Sequence, residues 1–175
     1  MGSVNVEEAI RTRRTHKAYR SEPVDRALLF ELFELARWAP NHHVTNPWRF
    51  RVLGPVTLRE LQALSEARAT GSAAKLARAP TLVAVSARLT GEPGQDREDV
   101  LATGVAAYIV LLGAHARGLA GYWRTVPLLE EPAARELLAL EDCESPLGLL
   151  YLGRPVEEQR VPPRAPVELI ASHLP

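Results

Sequence analysis

Helical and strand-like segments alternate along this chain of 175 residues, and the alternation by itself predicts a doubly wound parallel sheet. Three segments carry that prediction. Residues 28–36 repeat apolar side chains at helical spacing, residues 81–86 form a nearly continuous β-prone run, and residues 98–116 form a long apolar helix. The length is that of one domain, so we predict a single domain over residues 1–175.

Local patterns predict the secondary-structure elements in the first half of the chain. Pro23 precedes an amphipathic helix that Pro40 ends, and Thr57 is the expected N-cap of a later helix. Trp48 to Leu53 alternates large apolar residues with arginines, as a strand with one wet face does. In order, the elements are a helix from Val6, the helix 28–36, the polar loop 41–47, the strand 48–53, a helix from Thr57 and the connector 71–80.

The second half centres on the long helix 98–116, which Gly118 ends. Its apolar residues cover most of its circumference, so we expect burial on nearly all sides. The tail, residues 154–166, carries four prolines and is expected to be an extended arm. The other predicted elements are the strand 81–86, a flexible loop 91–97, the strand 120–125, a helix near 131–139 and the strand 147–152.

Composition excludes several classes of protein. Lys plus Arg and Asp plus Glu number 21 each, so no overall charge favours nucleic acid. The longest apolar stretch, residues 105–116, is too short to span a bilayer, and the N-terminus has no basic segment before an apolar run. The single cysteine, Cys143, excludes an intramolecular disulfide and a cysteine-based metal site. We therefore expect a soluble, cytoplasmic protein without a membrane or nucleic-acid partner.

A basic cluster at the end of the first helix has the composition of a phosphate site. Arg13, Arg14 and Lys17 supply cations, and Thr15 adds a hydroxyl donor. The alternative is a solvated basic helix end that the helix dipole stabilises. No strand is followed by GxGxxG or GxxxxGK[ST], so charged side chains would have to hold any nucleotide-like ligand.

Three further segments could carry chemistry. The loop around Asn41, His42 and His43 presents amides and imidazoles, but adjacent side chains diverge and no third ligand is near, so we predict no metal site. An extended backbone there would place His42 and His43 on opposite sides. The segment 121–125 has aromatic and cationic side chains that could contact a ligand, and its alternative interpretation is an ordinary sheet edge. Arg164 lies between prolines, and its alternative interpretation is that it belongs to a disordered basic tail.

The order and spacing of these segments resemble the FMN-dependent nitroreductase family, notably its short bacterial members. The resemblance runs from Val6 to about Pro166. Its motifs are Ile10-Arg-Thr-Arg-Arg-Thr-His-Lys-Ala-Tyr, Ala36-Arg-Trp-Ala-Pro-Asn-His-His-Val-Thr-Asn-Pro-Trp-Arg-Phe, Lys75-Leu-Ala-Arg-Ala-Pro, Ala116-Arg-Gly-Leu-Ala-Gly-Tyr-Trp-Arg and Leu150-Tyr-Leu-Gly-Arg-Pro.

The resemblance implies an α+β fold in place of the doubly wound one. A central, mostly antiparallel sheet of about four strands would be flanked by helices, and the C-terminal arm would be exchanged with the partner subunit. Members are homodimers with two FMN sites in the interface, so the helix from Glu98 would be an interface helix.

The resemblance also assigns cofactor-binding residues, while the flavin carries the chemistry and no catalytic side chain is needed. Arg13, Arg14, Thr15, Lys17 and Arg164 would hold the FMN phosphate and ribityl chain. Trp38 and His42, with Asn41 beside them, would reach the flavin from the other subunit. The remaining implied flavin contacts are Lys75, Trp123, Arg124 and Thr125.

The implied activity is hydride transfer from NADH or NADPH to FMN and, in ping-pong order, to a nitroaromatic, a quinone or another small acceptor. Thr15, Val44 and Asn46 depart from the family's usual Ser, Asn and Gln, and the chain lacks the helical insertion that shapes the pocket of longer members. Two alternatives stay open: a flavin-storage or redox-sensing protein with negligible turnover, and a cofactor-free interaction module.

Overall fold

A four-stranded antiparallel sheet organises the molecule, and the computed structural model describes residues 5–174 of it. The spatial order is β1-β2-β4-β3. The strands are β1 (Trp48–Val52), β2 (Thr81–Arg88), β3 (Ala120–Arg124) and β4 (Glu144–Gly153). The parallel sheet predicted from alternation is wrong, and the α+β fold implied by the family resemblance is confirmed. The first four residues, which bear on the predicted absence of a secretory signal, and Pro175 lie outside the described residues.

The connection between β1 and β2 shows why alternation failed to give strand direction. Val52 at the end of β1 pairs with Val83 near the start of β2, so the chain returns to the end of the sheet that it left. Two helical segments that pack on each other, α3 (Pro55–Ala67) and α4 (Ala73–Leu76), make this connection. A parallel crossover requires the chain to reach the opposite end of the sheet, usually along one helix.

The helices have somewhat different ends from those predicted. Residues 93–97 of the predicted flexible loop 91–97 form the start of the long helix, because Pro93 begins the helix at a position that proline favours. Gly54, not Thr57, is the N-cap of α3, for the same reason at Pro55. The helices are α1 (Val6–Thr12), α2 (Arg26–Ala36), α3 (Pro55–Ala67), α4 (Ala73–Leu76), α5 (Pro93–Ala116) and α6 (Pro132–Leu137), with 3₁₀ turns at His42–Val44, Pro127–Glu130 and Val167–Leu169.

Two apolar clusters form the core, one on each face of the sheet. One contains residues of α2 and α5, and the other contains residues of α3, α4 and α6. Helix α5 has the length and apolarity of a membrane-spanning helix, but half of its most apolar window is buried, and it packs against α2 and all four strands. This places α5 in the core of the fold.

Burial of α5 is not complete in the single chain. Leu101, Val105 and Tyr108 are 63%, 41% and 37% exposed, and they form one stripe at helical spacing. The prediction of burial on nearly all sides is therefore wrong for this stripe of the isolated chain. The stripe is an apolar surface that a second chain could cover.

The C-terminal arm begins at the end of β4 and lies against the N-terminal segment of the same chain. Tyr19 forms an antiparallel bridge with Pro155, and the Arg20 amide donates to the Arg154 carbonyl at 2.9 Å. Residues 156–174 are exposed, which agrees with the predicted extended arm. Exchange of this arm between subunits stays a prediction.

A buried ion pair joins the edge strand β1 to β4 across β2. Arg51 of β1 donates to both carboxylate oxygens of Glu144, at 2.7 and 2.6 Å, and the Ser86 hydroxyl donates to the same carboxylate. The Glu144 side chain is only 1% exposed. Burial alone would raise the pKa of Glu144, but the hydrogen bonds from Arg51 and Ser86 hold it below its usual value.

Replacing Arg51 by methionine is expected to destabilise the fold by about 3 kcal/mol, because it leaves a buried carboxylate without its partner. Since the pKa of Glu144 is lowered in the fold, the wild type has the full benefit above the usual value of 4.5 and loses it as the pH falls further. The deficit of the variant should therefore shrink at acid pH, as measured by urea unfolding between pH 7 and pH 3. Arg49→Met, on the same strand, is the control and should cost at most about 1 kcal/mol, because Arg49 donates only to backbone carbonyls. A deficit of Arg51→Met that stays constant with pH would contradict this account.

Candidate functional site

A cavity at the end of α1 is lined by arginines from both ends of the sequence. Arg13 and Arg14 follow α1 directly, and Thr15 forms a parallel bridge with Gly121 of β3. The C-terminal arm passes the same place and contributes two more arginines. The lining residues of this arginine cavity are Arg13, Arg14, Thr15, Gln159, Arg160, Pro162 and Arg164, with no carboxylate among those described.

Two of these guanidinium groups have buried nitrogens that lack a partner. Nε of Arg13 and Nε of Arg14 are buried and make no hydrogen bond within residues 5–174. The terminal nitrogens of Arg14 donate to the carbonyls of Arg13 and Arg11, each at 2.5 Å, which holds the group in place. The Arg13 guanidinium lies 5.7 Å from the ring centre of Tyr108 on α5. Four cations and unpaired buried donors suit an anion with several oxygens, such as a phosphate.

Two histidines line a neighbouring cavity together with Arg14. Burial lowers the pKa of His16, and the positive potential of His115 and Arg13 lowers it further. Burial also lowers the pKa of His115, with Arg13 and Arg14 adding to the effect. The Thr12 hydroxyl donates to a helix carbonyl at 2.6 Å, so it accepts from Nε2–H of His115 at 2.7 Å. Both shifts favour the neutral imidazoles, and all the cationic side chains that line the arginine cavity are arginines.

Eight of the twelve residues predicted to bind the cofactor lie outside the lining of the arginine cavity, and Lys17, Trp38 and Lys75 are exposed members of this group. Lys75 lies on the short helix α4. Trp38 is 76% exposed, with the guanidinium carbon of Arg37 5.9 Å from its ring centre. Their contact with a cofactor stays a prediction.

The loop between α2 and β1 is compact rather than extended. His42–Val44 form a 3₁₀ turn, and His43, Val44 and Asn46 have positive φ angles of 54°, 53° and 48°. The rings of His42 and His43 stack with their centres 3.9 Å apart. The prediction that these two side chains point to opposite sides is therefore wrong, because it assumed an extended backbone.

Side-chain hydrogen bonds hold this unusual loop. Oδ1 of Asn41 accepts from the Asn46 amide at 2.9 Å, which turns the backbone on itself. The Thr45 hydroxyl donates to Oδ1 of Asp99 on α5 at 2.6 Å, and Nε2 of Gln95 donates to the same oxygen at 3.0 Å. Asn41 thus shapes the loop, and Asp99, only 1% exposed, anchors it to α5.

This anchored loop places His42 beside an open groove along α5. Nδ1 of His42 lies 2.7 Å from Oε2 of Glu98. The groove leads into the exposed stripe of α5, whose Tyr108 end contacts Arg13 of the arginine cavity. The residues that line this His42 groove are Pro40, Asn41, His42, Glu98, Leu101, Ala102 and Val105.

The end of β3 divides its predicted site residues between the two faces of the sheet. Trp123 packs close to Gly104 of α5 and donates from Nε1 to the Leu147 carbonyl at 3.1 Å. Arg124 faces the other way and donates to Oγ of Ser72 at 2.8 Å. Thr125 is exposed. Within one chain these side chains do not share a surface, because successive residues of a strand alternate.

The comparison with known proteins explains why these features occur together. A model described as the nitroreductase family matches residues 10–154. The chain belongs to the nitroreductase family. YdjA of Escherichia coli, named as a candidate NAD(P)H nitroreductase, is 31% identical over 128 residues, which cover 67% of this chain and 70% of that protein. YfhC of Bacillus subtilis, named in the same way, is 26% identical over 174 residues, covering 91% of this chain and 89% of the relative.

Solved structures with this nitroreductase fold cover almost the whole chain. A nitroreductase-like protein from Bacillus cereus has a TM-score of 0.87 at 23% identity, covering 99% of this chain and 98% of that one. NfnB from Sphigopyxis sp. strain HMH, described as an FMN and NADPH-dependent nitroreductase, has a TM-score of 0.80 at 21% identity, covering 98% and 99%. At these identities the likeness establishes the fold.

Some residues of this candidate site could not be singled out from the sequence. Glu98 and Asp99 lie on α5, more than 50 residues from their partners His42 and Thr45, and no local pattern connects them. Tyr108 looked like any other apolar residue of α5. Arg160 is the exception, because it lies in the same basic tail as Arg164, and the structure places both at the cavity.

Proposed function

We propose that this nitroreductase-family protein is an FMN-dependent NAD(P)H oxidoreductase that reduces a nitroaromatic, a quinone or another small acceptor. The observation that carries the proposal is the arginine cavity. Its four guanidinium groups, with unpaired Nε atoms on Arg13 and Arg14, are suited to one terminal phosphate dianion. The names of YfhC, YdjA and NfnB support the same activity.

The residues present fit FMN. Arg13, Arg14, Thr15 and Arg164 would hold its phosphate, with Arg160 as a fifth ligand from the same cavity. Bound FMN would supply hydride chemistry, taking a hydride from NADH or NADPH and passing it to the acceptor in ping-pong order. The protein's own part is to bind the phosphate, to orient the flavin and to leave one face of it open to both substrates.

A homodimer with shared sites would complete the binding surface. The exposed stripe of α5 joins the arginine cavity to the His42 groove, so a second copy packed on this stripe would bring its own His42 and Trp38 towards the cofactor. Lys75, Trp123, Arg124 and Thr125 are further proposed flavin contacts, now dispersed over the single chain. A cytoplasmic location agrees with the need for NADH or NADPH.

The absorbance spectrum of the purified protein tests this proposal directly. After reconstitution we expect flavin absorbance bands that correspond to about one FMN per chain. We also expect NAD(P)H oxidation that depends on an added nitroaromatic or quinone. FMN binding without turnover over a panel of acceptors would favour the storage or sensing alternative. A chain that binds no FMN under any condition would contradict the proposal and favour an interaction module.

A further inference from the structure

We infer that His42 is a catalytic acid of this protein, with Glu98 as its positioning residue, and that the pair delivers a proton to the acceptor during its reduction. The inference rests on the proposed oxidoreductase function. It goes beyond that function because it assigns a proton-transfer role to a side chain, whereas the proposed function needs only the cofactor for the redox step. The starting observation is the contact of 2.7 Å between Nδ1 of His42 and Oε2 of Glu98.

Proton balance shows why the acceptor needs such a group. Reduction of an aromatic nitro group to a nitroso group takes two electrons and two protons, and one N–O bond breaks to release water. A hydride carries both electrons and only one proton. The second proton has to reach a nitro oxygen, and an imidazole is the side chain best suited to donate it near neutral pH.

The contact with Glu98 decides which ring nitrogen of His42 can do this. A carboxylate only accepts hydrogen bonds when ionised, so Nδ1 carries the hydrogen that Glu98 accepts. Nε2 is then the nitrogen that gains and loses a proton. In the cationic form Nε2–H donates its proton to the acceptor, and the neutral ring that remains keeps its Nδ1–H on Glu98. In the single chain the two side chains are 60% and 50% exposed, so solvent can restore the proton while the acceptor position is open.

The loop that carries His42 is held in one conformation by its contacts with α5. The loop adopts left-handed conformations at His43 and Val44, which cost free energy unless the surroundings hold them. The hydrogen bond of Thr45 to the buried Asp99 supplies that support, one residue along α5 from Glu98. The imidazole therefore lies on the wall of the His42 groove, next to the apolar side chains of Leu101 and Val105.

The test separates proton delivery from cofactor binding by comparing two acceptors. Nitrobenzene needs the proton, whereas ferricyanide takes single electrons and no proton. In His42→Asn we expect reoxidation of the reduced protein by nitrobenzene to slow by roughly 10²-fold, typical of a lost general acid, with ferricyanide reduction unchanged. Glu98→Gln should slow the nitrobenzene reaction by a smaller factor. His43→Asn, which suits the positive φ at that position, is the matched control and should change neither rate.

Two readouts do not depend on turnover. Nitrogen-15 NMR of the cofactor-free protein should show His42 protonated at Nδ1, and Glu98→Gln should shift this signal towards a mixture of tautomers. The FMN affinity of His42→Asn, measured by fluorescence quenching, sets the FMN concentration at which both rates are measured, so that each variant is saturated with cofactor. Equal slowing with both acceptors would overturn the inference in favour of a flavin-positioning role. Unchanged nitrobenzene reduction would assign the proton to solvent. Failure to bind FMN would instead remove the proposed function, and the NMR result would still decide whether the His42–Glu98 pair exists.

Discussion

The double substitution Arg13→Ala with Arg164→Ala is expected to reduce FMN affinity by roughly 10²- to 10⁴-fold. Each arginine would lose a charge-assisted hydrogen bond to the phosphate, worth about 1.5–3 kcal/mol, and each 1.4 kcal/mol corresponds to a factor of about ten. The two residues approach the same cavity from opposite ends of the chain, so their substitution removes donors from two sides. Fluorescence titration of the cofactor-free protein with FMN measures the effect.

Arg11→Ala is the matched control for this experiment. Arg11 belongs to the same basic segment, but its side chain is exposed and, within residues 5–174, pairs only with Glu7 at 3.6 Å. Its substitution should leave FMN affinity within about twofold, since exposed ion pairs contribute little. Lys17→Ala is a test rather than a control, because the family resemblance implies a phosphate contact for Lys17 although it is exposed and does not line the cavity. A double variant that keeps wild-type FMN affinity would remove the phosphate assignment.

Val105→Asp is expected to convert a homodimer into a monomer and to remove most bound FMN. Val105 lies in the middle of the exposed α5 stripe, between Leu101 and Tyr108. A dimer of this kind would bury above roughly 2,000 Å², and a carboxylate at its centre would be desolvated without a partner. Sedimentation at micromolar concentration measures the oligomeric state, and the flavin absorbance measures the bound cofactor.

Val56→Asp is the control, because Val56 is 55% exposed on α3, on the other face of the sheet from α5. It should remain dimeric with full flavin content. A wild-type protein that is monomeric and carries FMN would contradict the shared-site proposal. Mixing Arg13→Ala, Arg164→Ala subunits with His42→Asn subunits tests sharing more directly, because a heterodimer then regains nitrobenzene reduction only if His42 serves the flavin of the other chain.

Much of the fold could be predicted from local patterns in the sequence. The stretches around β2 and α5 were recognised because buried strands and buried helices need long apolar runs. The errors came where proline decides a helix start, at Pro55 and Pro93, and where strand direction depends on how connecting helices pack. Local patterns contain no information about that packing, so alternation alone predicted the wrong sheet.

The candidate site divides in the same way. The sequence by itself was enough to identify the basic cluster Arg13 to Lys17, the proline-bounded loop with His42 and the family. Each of these is recognised from motifs whose residues are close together along the chain. Tertiary structure alone stacked His42 on His43 and placed Glu98 beside His42. It also brought Arg160 and Arg164 to Arg13, a proximity that only the family resemblance had implied, for Arg164. Contacts between residues distant in sequence depend on how the elements pack around α5, and a linear pattern cannot record which side chains that packing brings within hydrogen-bond distance.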